Sequence, residues 1–273
     1  MIPVRRHRII TLLSDFGLVD SYVSEMKAVI LSICPEACIV DISHNVRKFD
    51  VKMGSYILLR ASRFFPKGTI HLAVVDPGVG TERRPIIIET ERGFYVGPDN
   101  GLLIPSSKMD GIKHIHVISN PKYILSKVSR TFHGRDIFSP AAAYLAKGVP
   151  ISDFGPEIFD PIIPSFSEAR VYEGLIEGEV VYIDDFGNLI TNIAQSNLAS
   201  AGISEGDILL VKVRNRNFRL RLCEAYGRLP KNELLAIIGS GGFLEISVNQ
   251  GSALKLLGAD VGEKIIIRKE TGF

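Results

Sequence analysis

Residues 69–83 read TIHLAVVDPGVGTER, and this stretch is the starting point for predicting the fold. Its first seven residues are mostly apolar and include β-branched side chains, which is typical of a strand. The loop that follows begins at Asp76. Pro77 fixes one backbone angle there, and two glycines allow the backbone to approach a ligand closely. The stretch therefore predicts a buried strand that ends in a polar loop.

The elements before this strand alternate between two types. An apolar run that ends at SDFG and a second short run read as strands, and each is followed by a segment with an amphipathic helical stripe. The order strand, helix, strand, helix, strand predicts an α/β layer with a mostly parallel sheet. In chain order these segments are residues 9–13, 22–33, 38–42 and 50–64. Further along, residues 86–89 and 94–96 read as a hairpin, and residues 137–146 as a helix.

The pattern changes near residue 160. Residues 160–167 read DPIIPSFS, with two prolines and no periodicity, which is typical of an interdomain linker. Short β-rich runs separated by turn residues follow, and residues 250–257 are the one segment there that we expect to be helical. We predict an α/β domain over residues 1–160 and a small all-β domain, a sandwich or a barrel, over residues 168–273.

Composition and charge narrow the function classes. The net charge of the chain is +2, which gives no electrostatic reason to expect a nucleic acid or an anionic membrane as partner. No apolar stretch approaches the ~18 residues of a membrane span, and the apolar run near the start is shorter than the roughly 7–15 residues of a secretory signal. We expect a cytoplasmic protein. The three cysteines lack a ligand cluster around them, so we expect no metal site.

Four polar segments are candidates for chemistry. Asp15 lies in SDFG at the end of the first predicted strand, where a carboxylate can accept both hydroxyls of a ribose, or where it can simply cap a turn. Asp76 and Arg83 bound the DPGVGTER loop, which is either a ligand loop or a tight turn with a salt bridge. His133 stands in TFHGRD, just before a helix. His44 ends the second strand and is a weaker candidate for the same rim.

The fourth segment, DDFGNLITN, begins at Asp184 in the predicted β domain. The amide of Asn188 offers a donor and an acceptor, which suits the edge of a purine, and Phe186 or Tyr226 can stack on its face. A Gly-Asn hairpin turn explains the same residues equally well.

Taken together, these segments resemble the S-adenosyl-L-methionine hydroxide adenosyltransferase family, whose relatives include the bacterial fluorinase and chlorinase. The resemblance rests on SDFGLVDSYV, VVDPGVGTERR, GPDNGLL, TFHGRDIFSPAAA, DDFGNLITNI and GSGGFLEISVNQGSA, and it runs from Ser14 to Ala253. It implies an α/β/α amino-terminal domain, a β-barrel-like carboxy-terminal domain and a homotrimer with sites between subunits.

The resemblance also implies residue roles. The family's Asp–Arg–His group falls on Asp76, Arg83 and His133, and its ribose-binding carboxylate falls on Asp15. Two implied positions near the methionine end are Asp20 and Asp184. The implied adenine contacts are Asn188 and the backbone at Val248, with Phe186 and Tyr226 as apolar walls. Two further implied positions that line the ligand are Ser240 and Glu245.

Departures from the halogenases favour one reaction. The halogenases carry aromatic residues where Asp76 and His133 stand, and a carboxylate at that position repels halide and orients water. We expect hydrolysis of S-adenosyl-L-methionine (SAM) to adenosine and L-methionine without a cofactor, with His133 taking the proton of the attacking water. Three alternatives remain open at this point: a halogenase, a non-catalytic adenosine-binding protein and, with less support, a phosphate-transfer enzyme.

Overall fold

The computed structural model describes residues 9–164 and 168–270. The chain divides into two compact units, Met1–Pro164 and Ser165–Phe273. Each unit has its own hydrophobic core. None of the helices in the described ranges has the length and hydrophobicity needed to cross a bilayer.

The first unit is built on a six-stranded mixed sheet. Its strands are β1 (Ile9–Ser14), β2 (Cys38–Ser43), β3 (Thr69–Val74), β4 (Pro85–Thr90), β5 (Gly93–Pro98) and β6 (Ile112–Val117). The order across the sheet is β2-β1-β3-β5-β4-β6. The pairs from β2 to β5 are parallel, while β4 runs antiparallel to both β5 and β6. This confirms the mostly parallel sheet, and it places the ends of β1 and β3 side by side.

Helices cover both faces of this sheet. They are α1 (Tyr22–Ile33), α2 (Val51–Ser62), α3 (Ile104–Met109) and α4 (Ser139–Ala146). Along β3, Ile70, Leu72 and Val74 belong to the core cluster that contains α1 and α4, whereas Ala73 belongs to the cluster that contains α2. A strand that is buried on both faces has no polar side to present, which explains its continuous apolar sequence.

The second unit is a closed barrel. Its strands are β7 (Arg170–Tyr172), β8 (Leu175–Ile183), β9 (Leu189–Ala194), β10 (Ile208–Val213), β11 (Arg216–Cys223), β12 (Leu234–Ile238), β13 (Phe243–Val248) and β14 (Lys264–Lys269). The order is β14-β10-β11-β12-β13-β9-β8-β7, and a further β14–β8 pairing closes a ring of seven strands, with β7 paired to β8 outside the ring. In β10, buried Leu209, Val211 and Val213 alternate with outward residues such as exposed Lys212. The expectation of a barrel-like second half is confirmed.

Four strands and helices of the described residues were not predicted from the sequence, and one of them is the short strand β7. The prediction that only residues 250–257 are helical in the second half is wrong, since the described part contains α5 (Gln195–Ser200) as well as α6 (Ala253–Leu257). In the first unit, α3 and β6 were also missed. Elements of six residues such as α3 and α5 are too short to show a helical period, and α5 is anchored locally by Asn197, whose Oδ1 accepts from the backbone N–H of Ala194 at 2.8 Å.

Candidate active site

A pocket of about 310 Å³ opens at the carboxyl ends of β1 and β3 in the first unit. Open α/β sheets bind ligands at these ends because the loops that follow neighbouring strands meet there. The residues that line the pocket come from the end of β3, the start of α1, the loops after β1, β2 and β3, and the segment before α4. They are Asp15, Phe16, Tyr22, Lys48, Phe49, Val74, Asp76, Val79, Thr131, Phe132, His133 and Gly134.

Arg83 contacts both Asp76 and His133, two of the residues that line this pocket. The loop after β3 turns tightly, with backbone bonds from Val79 N to Asp76 O at 3.3 Å and from Thr81 N to Gly78 O at 3.2 Å, and this brings Arg83 back to Asp76. Arg83 Nε lies 3.2 Å from Asp76 Oδ1, and Arg83 Nη2 donates to Asp76 Oδ2. The same Nη2 lies 3.0 Å from His133 Nδ1. The side chains of Arg83 and Asp76 are only 6% and 5% exposed, so the ion pair is buried.

The contact with Arg83 determines the tautomer of His133. A guanidinium has only donors, so Nδ1 of His133 must accept, and the proton of the neutral imidazole is on Nε2. Burial lowers the pKa of His133, and the nearby positive charge of Arg83 lowers it further. His133 is therefore neutral at neutral pH. On the other side of the guanidinium, the buried Nη1 of Arg83 has no hydrogen-bond partner among the described residues.

Asp15 lies in the same pocket and is 5% exposed. Its Oδ2 accepts from the backbone N–H of Phe49 at 2.8 Å, and its backbone oxygen accepts from the ammonium of Lys48. Oδ1 has no hydrogen bond from any residue in the described part of the chain. Asp20 is exposed and is not among the side chains that line this pocket. His44, a weaker candidate for the rim, is buried behind it and does not line it.

Asp184 and Asn188 form a closed turn in the second unit. Asp184 Oδ1 accepts from the backbone N–H groups of Phe186 at 3.0 Å and Asn188 at 2.9 Å, and Oδ2 accepts from the side-chain amide of Asn188 at 2.9 Å. Gly187 has a φ of 81°, and a Cβ there would lie 2.1 Å from Ser252 Oγ, so the turn requires glycine. This arrangement leaves Phe186 79% exposed at the tip of the turn.

The other candidates of the second unit lie on and around β12 and β13. Tyr226 is 40% exposed and donates its hydroxyl to Glu245 Oε2 at 3.0 Å. Glu245 and Val248 are each 5% exposed, whereas Ser240 is exposed in the turn between the two strands. The carboxylate of Glu245 packs on Gly239, where a Cβ would lie 1.7 Å from Oε1.

Sequence reasoning missed the aromatic lining of the pocket. The rings of Phe16, Tyr22 and Phe132 contact one another, with centroid distances of 5.2–5.7 Å. Lys48 and Phe49 were also missed, and Phe49 is 69% exposed with a positive φ of 66°. The available signal was position, because each of these residues is within a few positions of a polar motif and outside any apolar run.

The described residues contain no group of three or more His, Cys, Asp and Glu side chains with the geometry to hold a metal ion. In the second unit, a more open cavity of about 540 Å³ is lined by Lys212, Arg214, Lys264 and neighbouring residues. It contains none of the candidate site residues.

The sequence matches two domain families over most of its length. Residues 10–155 match the SAM hydroxide adenosyltransferase N-terminal domain, and residues 178–266 match the C-terminal domain of that family. A Thermus thermophilus protein named (R)-S-adenosyl-L-methionine hydrolase is 38% identical, over 92% of this chain and 95% of the relative. A Methanocaldococcus jannaschii protein of the same name is 37% identical, over 95% of each chain.

Structural comparison agrees with the sequence matches. The crystal structure of an uncharacterized conserved protein from Thermotoga maritima superposes with a TM-score of 0.89 at 38% identity, covering 95% of this chain and 99% of that one. Proteins named fluorinase also match, at the lower identities of 27–32%.

Proposed function

The chain belongs to the SAM hydroxide adenosyltransferase family, and we propose that it hydrolyses SAM to adenosine and L-methionine. The observation that carries the proposal is the Asp76–Arg83–His133 group, of which Asp76 and His133 line the same pocket as Asp15. It offers a carboxylate, a fixed positive charge and a neutral imidazole next to a carboxylate suited to a ribose. The relatives' names point to the same reaction.

The chemistry requires little more than positioning. The oxygen of water attacks C5′ of the ribose, the C–O bond forms, and the bond from C5′ to sulfur breaks in line with it. Methionine leaves as a neutral thioether, so no acid has to protonate the leaving group, and we propose that no cofactor takes part. Holding the reactants in line contributes up to ~7–11 kcal/mol, and removing the water proton contributes about 10²–10⁴-fold.

The hydrogen bonds in the pocket favour a particular division of roles. His133 Nδ1 already accepts from Arg83, so the Nε2–H of His133 serves as a donor that holds the nucleophilic oxygen. Asp76 is then the better acceptor for the water proton, because a carboxylate has about four lone-pair positions and Arg83 uses two. The positive charge of Arg83, which contacts both Asp76 and His133, stabilises the hydroxide character that develops on the oxygen. This reverses the direction of proton transfer that we expected for His133 from the sequence.

Substrate binding is proposed as follows. The free Oδ1 of Asp15 accepts the ribose hydroxyls. Phe186, Asn188, Tyr226 and the backbone at Val248 bind adenine. Asp20 and Asp184 act at the methionine end, and Ser240 and Glu245 support the ligand. Because both carboxylate oxygens of Asp184 accept bonds within its own turn, we assign Asp184 mainly to shaping that turn.

The assembly and compartment belong to the same proposal. We propose a homotrimer with sites between subunits, acting in the cytoplasm where SAM is available.

A sulfonium with three different substituents is a stereocentre, and the relatives named above are (R)-epimer hydrolases. We therefore propose that this chain also takes the epimer with the (R) configuration at sulfur.

The test is incubation of dialysed protein with each sulfur epimer of SAM, with and without chloride and fluoride, followed by chromatography. Adenosine and methionine in equal amounts, formed faster from the (R) epimer and independently of halide, are expected. A 5′-haloadenosine product would instead identify a halogenase. The buried carboxylate of Asp76 argues against that outcome, because its negative charge repels an incoming halide. Adenosine binding without turnover of either epimer would identify a non-catalytic adenosine-binding protein.

A further inference from the structure

A chain of polar side chains lies behind the Asp15 turn, outside the pocket lining. Lys27 Nζ is 2.6 Å from Asp41 Oδ2, and Asp41 Oδ1 is 3.2 Å from His44 Nε2. His44 Nδ1 is 2.7 Å from Ser14 Oγ. This relay therefore runs from α1 through β2 to the end of β1, and His44, which is 4% exposed, is at its centre.

The burial of His44 and the charge of Asp41 determine where the protons of this relay lie. Burial lowers the pKa of His44, which favours the neutral imidazole. The negative charge of the Asp41 carboxylate, 3.2 Å from Nε2, favours a proton on that nitrogen. Nδ1 then accepts from the Ser14 hydroxyl. Ser14 Oγ in turn accepts from the backbone N–H of Phe16 at 3.3 Å.

Ser14, His44 and Asp41 resemble a hydrolytic triad in composition but not in function. Ser14 is 0% exposed, and it does not line the pocket. Its oxygen already accepts a backbone N–H, and its hydroxyl already donates to His44. A nucleophile must reach its substrate, so this serine is not one.

The relay instead joins the two loops that hold Asp15. The loop after β1 carries Asp15, and its Gly17 N–H donates to the backbone oxygen of His44 at 2.7 Å. The loop after β2 begins at His44 and carries Phe49, whose N–H donates to the Asp15 carboxylate. Side-chain and backbone bonds of His44 thus fix both loops with respect to each other, on either side of one carboxylate.

We propose that His44 is a positioning residue for the Asp15 carboxylate, setting its orientation toward the ribose hydroxyls; this rests on the proposed function. A ligand-binding group must be held within about 0.5 Å of its productive position, and the surrounding hydrogen bonds do this. The His44 imidazole acts through Ser14 and the Phe16 N–H, and contacts no substrate atom itself. Loss of the imidazole leaves Asp15 present but free to turn.

The experiment compares His44→Leu, His44→Asn, Ser14→Ala and His114→Ala with the wild type. In His44→Asn the amide oxygen stands near the position of Nδ1 and can still accept from Ser14. His114 on β6 is the control, because it is also a histidine paired with an acid and it does not line the pocket. Its Nδ1 lies 2.7 Å from Oε1 of Glu157. Adenosine affinity is measured by calorimetry, the KM for SAM and kcat by chromatography, and folding by thermal unfolding.

His44→Leu and Ser14→Ala are expected to raise the adenosine Kd and the KM by about tenfold to a hundredfold, while kcat changes by less than about threefold. His44→Asn should recover most of the loss, and His114→Ala should match the wild type. Unchanged Kd and KM in both His44→Leu and Ser14→Ala would overturn the inference. So would an equal loss in His44→Leu and His44→Asn. A wild type that neither binds adenosine nor hydrolyses SAM would overturn the proposed function instead.

Discussion

Replacement of His133 by glutamine and by alanine distinguishes a hydrogen-bond donor from a general base. Because Arg83 Nη2 lies 3.0 Å from Nδ1, the proton of the neutral imidazole is on Nε2, which we have proposed as the donor to the attacking oxygen. A hydrogen bond to a charged group contributes about 1.5–3 kcal/mol, so His133→Ala should lower kcat by about 10- to 150-fold. Glutamine places an amide N–H near the position of Nε2. His133→Gln should therefore retain kcat within about tenfold of the wild type.

The assay for this comparison is single-turnover formation of adenosine from SAM above pH 6.5. His133 is neutral there, because its pKa lies below the ordinary value of 6.5. A general base contributes about 10²–10⁴-fold, and an amide cannot replace it. If glutamine and alanine both lowered the rate by such factors, His133 would be the base, and the division of roles proposed above would be refuted. The adenosine Kd of both variants is the control, and it should stay unchanged.

Three further changes test other parts of the molecule. Burial lowers the pKa of His71 to about 4 from 6.5, so the unfolded chain binds a proton that the folded chain does not, and the free energy of unfolding should fall by about 3 kcal/mol as the pH falls across that window. Urea titrations of the wild type and His71→Gln check this, and an equally steep pH dependence in the variant would contradict it. Phe186→Ser should change stability by less than about 0.5 kcal/mol, because the ring is 79% exposed, yet weaken adenosine binding by about 1–3 kcal/mol if the ring stacks on the base; calorimetry measures both. Gly80→Ala should cost about 1–3 kcal/mol and lower kcat, because Gly80 has a φ of 78° and a Cβ would lie 2.3 Å from the backbone oxygen of Arg130; thermal unfolding and turnover together would reveal a tolerated alanine.

The parts of the fold that were predictable are those where one physical requirement determines many residues. A strand buried on both faces must be apolar throughout, so β3 is visible in the sequence as a continuous run. The repeated alternation with amphipathic helices then determines the layer type. The short elements α3, α5 and β6 show no such requirement, because their residues are selected by contacts with distant parts of the chain. Their assignment depends on tertiary packing, which a local pattern does not contain.

In the candidate site, too, some contacts could be predicted from the sequence and others could not. Asp76 and Arg83 are seven residues apart on a single turn, so their contact follows from local geometry. The approach of His133, fifty residues beyond Arg83, depends on the packing of α4 against α1. The tautomer of His133 could not be predicted from the sequence, because it depends on which ring nitrogen lies next to the guanidinium of Arg83. His44 illustrates the opposite error, since it stands next to a polar motif while its side chain lies outside the pocket lining.

The backbone directly after His133 is a π-helical turn, Gly134–Phe138, in which the N–H of Ser139 bonds to the carbonyl of Gly134. Such a turn holds one residue more than an α-helix would hold over the same hydrogen bond. Deleting a single residue from it would restore a regular helix and rotate the preceding backbone by about 100° around the axis, carrying the imidazole away from Arg83. The chemistry of this segment is thus encoded in the number of its residues as well as in their identity. Grafting the His133 motif onto another helix would therefore fail unless the extra residue were transferred with it.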